Sequence, residues 1–364
     1  GKLPQTGRAA WFNDMNIKNI AKLAGVSVAT VSRVINNSDN VRPETRDRIR
    51  EIMKQNNYIP SAIARDLSFQ RSEVVAVIVP DLQNPFFYGL IEGITQIADK
   101  SGYQVLIFNT NEDANREFRV LQTLRERHVA GILITAAGVR DERTESMLAF
   151  FQKDGIPVIL IDRDLENGDS FDSVMADNEG GAYKAISELV RIGHRRIAII
   201  AGEREYSPVY EREVGYRRAL AEANIPIRSE YIAYGDQMVE KSYRCMADLL
   251  SLPEPPTAVF CGNNMMLIGA MRYLYGKGIR VGKEIGLIGF DDIELLNDVG
   301  IKISVVARSE RKMGRKAMEL LLAHREGGKP ADHHVLVTAK LILRGSEKCD
   351  EIIQPAHMEA ARTL

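Results

Sequence analysis

The sequence predicts an α/β protein: a small all-α, helix-turn-helix head at the N-terminus, then a two-lobed body built on parallel sheets. Three observations carry this. Residues 15–36 hold two short helical periods joined by a tight turn, apolar strands alternate with amphipathic helices from Glu73, and that rhythm restarts after Ala176-Asp177-Asn178. Strands that read as unbroken apolar runs between helices belong to parallel sheets covered on both faces. Two consecutive sets give two similar lobes, with a cleft at the carboxyl ends of the strands, where such sheets take ligands.

Residues 1–14 show no periodicity and are expected to be a disordered extension ahead of Met15. Ile17, Ile20, Ala21 and Ala24 then recur at helical spacing. Gly25 supplies permissive backbone for a turn, and Ser27 is suited to cap a second helix. In that helix Val31, Val34 and Ile35 face inward, while Val28, Ala29, Ser32 and Arg33 share the outward side. A nearly bare first turn with one Arg a turn later suits entry into a major groove about 12 Å wide. Pro43 opens a third helix with Ile49, Ile52 and Met53 on its buried side. The head is assigned to residues 15–60. Residues 61–72 form a hinge helix and linker, too short to stay ordered unless something holds them.

In the body, strands at 74–79, 103–108, 131–134 and 158–161 alternate with helices near 86–101, 115–127 and 142–153. The second set places strands at 196–200, 231–234, 258–261 and 285–288, with helices at 179–192, 210–223, 240–250 and 264–276. Residues 73–346 are assigned to ligand binding and dimerisation. The N-lobe takes about 73–174 and 308–337, the C-lobe about 175–307 and 338–346. The tail, 347–364, lacks the heptads a tetramer-forming coil needs, so a dimer is expected.

Bulk properties narrow the function. At 364 residues the chain is long for one core, and its 45% hydrophobic and 27% charged composition is ordinary for a soluble globular protein. No apolar run reaches membrane-spanning length, and the first residues lack the apolar core of a secretory signal. Cys245, Cys261 and Cys349 are odd in number and form no CxxC, which argues against a disulfide framework or structural zinc and for a reducing cytoplasm. The net charge of −1 hides an asymmetry: residues 15–72 carry +5 and residues 73–364 carry −7. A basic head on an acidic body fits a nucleic-acid contact confined to the head.

No Walker sequence occurs, and the glycines of 276–282 miss the dinucleotide spacing. His128, His194, His324, His333, His334 and His357 form no metal-ligand spacing beyond the adjacent pair. No catalytic residue, metal or cofactor is therefore expected. The competing reading, a solute-binding protein without regulatory role, shares the body but leaves the basic head unexplained.

Residues 16–346 resemble the LacI/GalR family of bacterial transcription regulators. The resemblance rests on Ala24-Gly25-Val26-Ser27-Val28-Ala29-Thr30-Val31-Ser32-Arg33-Val34-Ile35-Asn36, on 41–46, Tyr58-Ile59-Pro60, Asn84-Pro85-Phe86-Phe87, 193–198 and Gly289-Phe290-Asp291-Asp292. It implies a periplasmic-binding-protein-like (type I) body, a homodimer on a pseudo-palindromic double-stranded operator, and a carbohydrate-like effector between the lobes. It also implies base-edge contacts at Val28, Ala29 and Arg33. Ser27, Thr30, Ser32, Asn36 and Thr45 would touch phosphates, with Ser27 capping the helix, binding a phosphate, or both, and Thr30 packing or binding. Tyr58 and Ala64 fall within the DNA-contacting set, and Leu67 matches the family's minor-groove wedge, the alternative being that it packs the linker helix against its dimer mate. Arg42 replaces a frequent capping Ser; its cation faces the positive end of a helix dipole, which a DNA phosphate would relieve.

In the cleft the implied residues are Phe86, Phe87, Asp162, Arg163, Arg212, Gln237, Asn263, Asp291 and Arg308. Two depart from the family pattern. Gln237 stands where many relatives place a stacking ring, and Arg308 where many have Gln. An inward Arg308 beside Arg163 and Arg212 would make the pocket cationic, which points to a sugar acid or sugar phosphate. Glu319 stands where some relatives offer a basic residue to a phosphorylated carrier protein, so direct small-molecule control is expected instead.

Overall fold

The computed structural model describes residues 15–35, 40–56, 58, 72–328, 330 and 332–350. Expectations for residues 1–14, Asn36, the hinge helix with Ala64 and Leu67, and residues 351–364 lie outside the described residues. The chain divides into two units, Gly1–Ser72 and Glu73–Leu364.

The first unit holds α1 (Ile17–Ala24), α2 (Val28–Ile35) and α3 (Pro43–Gln55). The Asn16 side chain caps α1 by accepting from the Lys18 and Asn19 amides, at 3.0 and 3.1 Å. Gly25 ends it with φ +62°, a left-handed conformation that a Cβ disfavours. Ser27 Oγ accepts from the Thr30 amide at 3.1 Å and so starts α2. Ile20, Ala21, Ala24, Val31, Val34, Val41 and Ile49 close into one small core, with Ile17, Ile35, Ile52, Met53 and Tyr58 packed around it.

In the second unit the chain runs β1 (Val74–Val79), α4 (Pro85–Lys100), β2 (Gln104–Asn109), α5 (Ala114–Glu126), β3 (Gly131–Ile134), α6 (Glu142–Lys153), β4 (Val158–Ile161) and β5 (Asp172–Ala176). It crosses to α7 (Asn178–Arg191), β6 (Ile197–Ala201), α8 (Ser207–Glu222), β7 (Ile232–Tyr234), α9 (Val239–Leu250) and β8 (Ala258–Cys261). Then come α10 (Asn264–Gly276), β9 (Gly286–Phe290), α11 (Glu294–Asp298) and β10 (Ser304–Ala307). It returns through α12 (Glu310–Arg325) and β11 (His334–Val337) to β12 (Lys340–Ile342).

The N-lobe sheet has order β11-β5-β4-β3-β1-β2 and is parallel throughout. The C-lobe sheet has order β12-β10-β9-β8-β6-β7, parallel except for the antiparallel edge strand β12. Runs such as Val74-Val75-Ala76-Val77-Ile78-Val79 suit strands buried on both faces. Each sheet accordingly has an apolar core on either side. Three crossovers, at 177, 308–309 and 338–339, join the lobes. Although α12 follows a C-lobe strand, it packs on the N-lobe. A Cβ at Gly314 would stand 2.1 Å from the Leu90 carbonyl oxygen, and one at Gly93 2.2 Å from that of Arg311. Backbone therefore meets backbone between α4 and α12, and Arg308, just before α12, is held at the cleft.

Two expectations need correction. Helix α8 begins at Ser207, because Pro208 suits a first helical turn, so Arg212 lies in its second turn rather than at its start. Strands β5, β10, β11 and β12 are absent from the sequence reading; in β5 the polar Asp172 and Ser173 break the apolar signal, and β10 to β12 are runs of only three or four residues. Among the described residues no helix is long and apolar enough to cross a membrane.

Candidate ligand cleft and nucleic-acid interface

The cleft lies where the carboxyl ends of the two sheets' strands meet. Asp162 and Arg163 follow β4, Asp291 follows β9, Arg308 follows β10, and Asn263 caps α10 by accepting from the Met266 amide at 2.8 Å. Phe86 and Phe87 sit in the first turn of α4, behind Pro85 and the capping Asn84. All nine residues named from the sequence line one site, together with Asn84, Tyr206, Pro208 and Val209. Phe86 and Phe87 also belong to the N-lobe core, so packing and lining are one role for them.

Three arginines organise the site, each on an aromatic ring. Arg308, 4% exposed, lies 3.9 Å from the centre of the Phe86 ring. It donates to both Asp291 oxygens, at 2.7 and 3.2 Å, and to Asp162. Asp162 comes from the N-lobe and Asp291 from the C-lobe, so this guanidinium in a crossover ties the two together. Arg163 donates to both Glu112 oxygens at 2.6 and 2.7 Å, and reaches across to Gln237 Oε1 at 3.1 Å. It lies 4.0 Å from the centre of the Tyr206 ring. Arg212 donates to Asn178 Oδ1 at 2.8 and 3.0 Å and to the Gly262 carbonyl at 2.6 Å, above the Phe290 ring. A further interlobe bond runs from Asn264 Nδ2 to Asn84 Oδ1, at 2.8 Å.

The electrostatics follow from these partners. Burial pushes the Asp162 carboxyl up, but Arg308, Arg212 and Arg163 outweigh it and hold the group below its ordinary value. Burial lowers Arg212, and the neighbouring Arg308 cation adds to this, bringing it to about 10. Among the described residues no carboxylate is hydrogen-bonded to Arg212. Burial and the nearby Asp291 push Glu310 up to about 7. Arg308 thus points inward, but the expectation of a cationic pocket needs correction. The three guanidinium groups face Asp162, Asp291 and Glu112, which balance them.

Backbone strain concentrates here. Glu112, Asp162, Gln237 and Asp291 all take positive φ, between 56 and 69°. Non-glycine residues in this region mark places where surrounding structure holds an uncommon geometry, often at ligand sites. About 30 Å³ of free space remains among the lining residues. That volume takes water but no sugar ring, so a larger ligand has to displace side chains or part the lobes. A separate space of about 440 Å³ is lined by Asp164, Glu166, Arg204, Ser207 and Tyr210 among others.

Sequence reasoning missed Asn84, Glu112, Asn178 and Tyr206. Asn84 and Asn178 lie at helix starts, where the same positional rule finds them. Glu112 reaches Arg163 only through the left-handed turn at 111–112, which no residue pattern announces.

Within the head, Val28 and Ala29 in the first turn of α2 and Arg33 in its last are exposed, while Thr30 and Ser32 are half-buried. Ser27 both caps α2 and sits 2.9 Å, hydroxyl to hydroxyl, from Thr30. Arg42 occupies the N-cap position of α3, exposed and without a side-chain capping bond. Thr45 is half-buried near the start of α3, and Tyr58 packs against the head core, where burial pushes its phenol up. In the body Glu319 is exposed and paired with Lys316 at 2.8 Å.

Comparison with known proteins agrees with both units. Residues 72–343 match the family described as periplasmic binding proteins and sugar binding domain of LacI family, and residues 16–61 match bacterial regulatory proteins, lacI family. Catabolite control protein A of Priestia megaterium is 33% identical over 309 residues, covering 85% of this chain and 92% of that protein. The HTH-type transcriptional repressor CytR of Escherichia coli (strain K12) is 32% identical over 332 residues, covering 91% and 96%. A solved complex of the transcriptional regulator CelR with cellobiose superposes with a TM-score of 0.69 at 29% identity, over 91% of this chain and 99% of that one.

Proposed function

The chain belongs to the LacI family of bacterial regulatory proteins, and from that premise we propose that its operator affinity is set by a polyhydroxylated, carbohydrate-like ligand held between the lobes. It is a DNA-binding transcriptional repressor of that family with a sugar- or ligand-binding domain. The observation that carries the finer reading is the Asp162–Arg308–Asp291 network. Its members come from both lobes and from the crossover between them.

Carboxylates and guanidinium groups that satisfy one another can exchange those bonds for hydroxyls. A ligand that takes Asp162 or Asp291 from Arg308 changes the link between the lobes. It shifts their closure by as much as it prefers one closure over the other. The balance of charge favours a neutral sugar, whose hydroxyls both donate and accept. A second reading, a sugar acid, is favoured by Arg212, whose buried cation has amide and carbonyl acceptors but no hydrogen-bonded carboxylate. The reading also includes a homodimer, because one three-helix head reads a single half-site and firm operator binding takes two.

A thermal-shift screen of neutral monosaccharides and disaccharides against uronates and sugar phosphates tests the ligand class. At a ligand concentration of ~100 times Kd the stabilisation is about 2.7 kcal/mol, which moves the melting point by roughly 5 °C or more. A neutral sugar is expected to give this shift. A shift with uronates alone supports the second reading, and none from any carbohydrate refutes both.

A further inference from the structure

The N-lobe carries a second constellation, none of whose side chains lines the cleft. Strands β5 and β11 run parallel with Ser173 opposite His334, so Asp172 and His333 fall side by side on the other face. That face also holds Val174 and Ala176, which pack beneath Met318, Leu320 and Leu321 of α12. Asp172 extends it to the end of α12, where His324 projects from the last turn. His324 Nε2 lies 2.5 Å from Asp172 Oδ2, and His333 Nδ1 lies 2.7 Å from Oδ1. One ligand atom from each of the three side chains falls within 4.8 Å of the others. His334 turns away and bonds Ser173 Oγ at 3.0 Å.

We propose that Asp172, His324 and His333 form a binding site for a divalent transition cation, zinc being the type case. Two imidazoles and one carboxylate from three separate elements are an N/O donor set that suits zinc and its neighbours rather than calcium or magnesium, which take oxygen ligands. The Asp172 carboxylate is mostly buried and fixed by its strand, while the His333 ring is 57% exposed, leaving solvent to complete the coordination. Zinc bonds to nitrogen and oxygen are about 2.0–2.2 Å, so tetrahedral ligands stand just over ~3 Å apart. The two rings have to draw back by about 0.6 to 1.1 Å from their present 2.5 and 2.7 Å contacts, which their exposure permits. A bound cation would pin the last turn of α12 to the edge of the sheet. The first turn of that helix follows Arg308, so the clamp acts on the element that borders the cleft.

The full-length protein, stripped with EDTA and dialysed, is titrated with zinc chloride and separately with cobalt chloride. The expected result is saturable binding of one zinc per chain, a raised melting temperature, and visible cobalt bands of a low-symmetry N/O site. His324→Gln and His333→Gln each weaken binding by more than about tenfold, the double variant loses it, and His334→Gln retains it. Circular dichroism of the metal-free variants shows whether they remain folded. Asp172→Asn supplies a third variant if a histidine change disturbs the fold. Absence of saturable zinc binding by the stripped protein, or binding that survives in the folded double variant, overturns the proposal.

Discussion

Replacing Arg308 with methionine is expected to lower the stability of the body by about 3–5 kcal/mol at neutral pH. The guanidinium has carboxylates of both lobes as partners, and all three groups are buried. Methionine fills similar space but leaves Asp162 and Asp291 desolvated without their cation. A buried pair adds little net stability against apolar substitutes, yet removing one partner is costly because the other charge is stranded.

The pH dependence gives the prediction a second edge. In the wild type the folded Asp162 value lies below its ordinary one. Its contribution is therefore present above the unfolded carboxylate range and lost as pH falls through the folded value. In Arg308→Met the Asp162 carboxyl loses the largest charge that holds it down and burial pushes it upward, so protonation removes that stranded charge at a higher pH than in the wild type. The gap between variant and wild type should be widest near neutrality and narrow in acid, as measured by urea unfolding across pH. A gap that is constant with pH, or under about 1 kcal/mol at pH 7, would mean that this network does not hold the lobes.

Arg33→Ala is expected to weaken operator binding by about 1–3 kcal/mol per half-site, roughly 5- to 150-fold. Arg33 is the sole cation of α2 and is exposed, one turn beyond the small Val28 and Ala29. A bidentate contact to guanine is the strongest base-specific interaction this helix can make. Its charge also lies favourably at the C-terminus of α2, worth about 0.3–1 kcal/mol of head stability. The two effects separate: unfolding of the head reports the smaller one, and anisotropy with a labelled operator reports both. Discrimination at one base pair per half-site should relax, while the salt slope changes little, since phosphate contacts set that slope. Unchanged affinity and unchanged base preference would remove Arg33 from base reading.

Much of this architecture was legible because it rests on local periodicity. The strands Val74–Val79, Gly131–Ile134 and Val158–Ile161 are apolar runs between amphipathic helices, and the head's inward and outward faces follow helical spacing. The nine cleft positions follow from the family resemblance, and most of them also fall just past strand ends or at helix starts, where parallel sheets place their ligand groups. What could not be read was pairing. Arg308 meets Asp162 across 146 positions of sequence and Arg163 meets Glu112 across 51, so a pocket that looks cationic in sequence is balanced in space. The same holds for Asp172, His324 and His333, whose separation hides them from any spacing rule. Strand β5 was hidden for a related reason: its first two residues are polar because they face groups contributed by the helix and strand beside them.

The most direct measurement is of linkage between the two units. Operator affinity is determined by anisotropy, with and without saturating amounts of whichever carbohydrate stabilises the protein. Ligand affinity is then determined with and without bound operator. A cleft that governs the head predicts that operator Kd shifts by about 5- to 150-fold and that ligand Kd shifts by the same factor, since coupling free energy is reciprocal. Equal operator affinity in the presence and absence of a ligand shown to occupy the cleft would contradict the account.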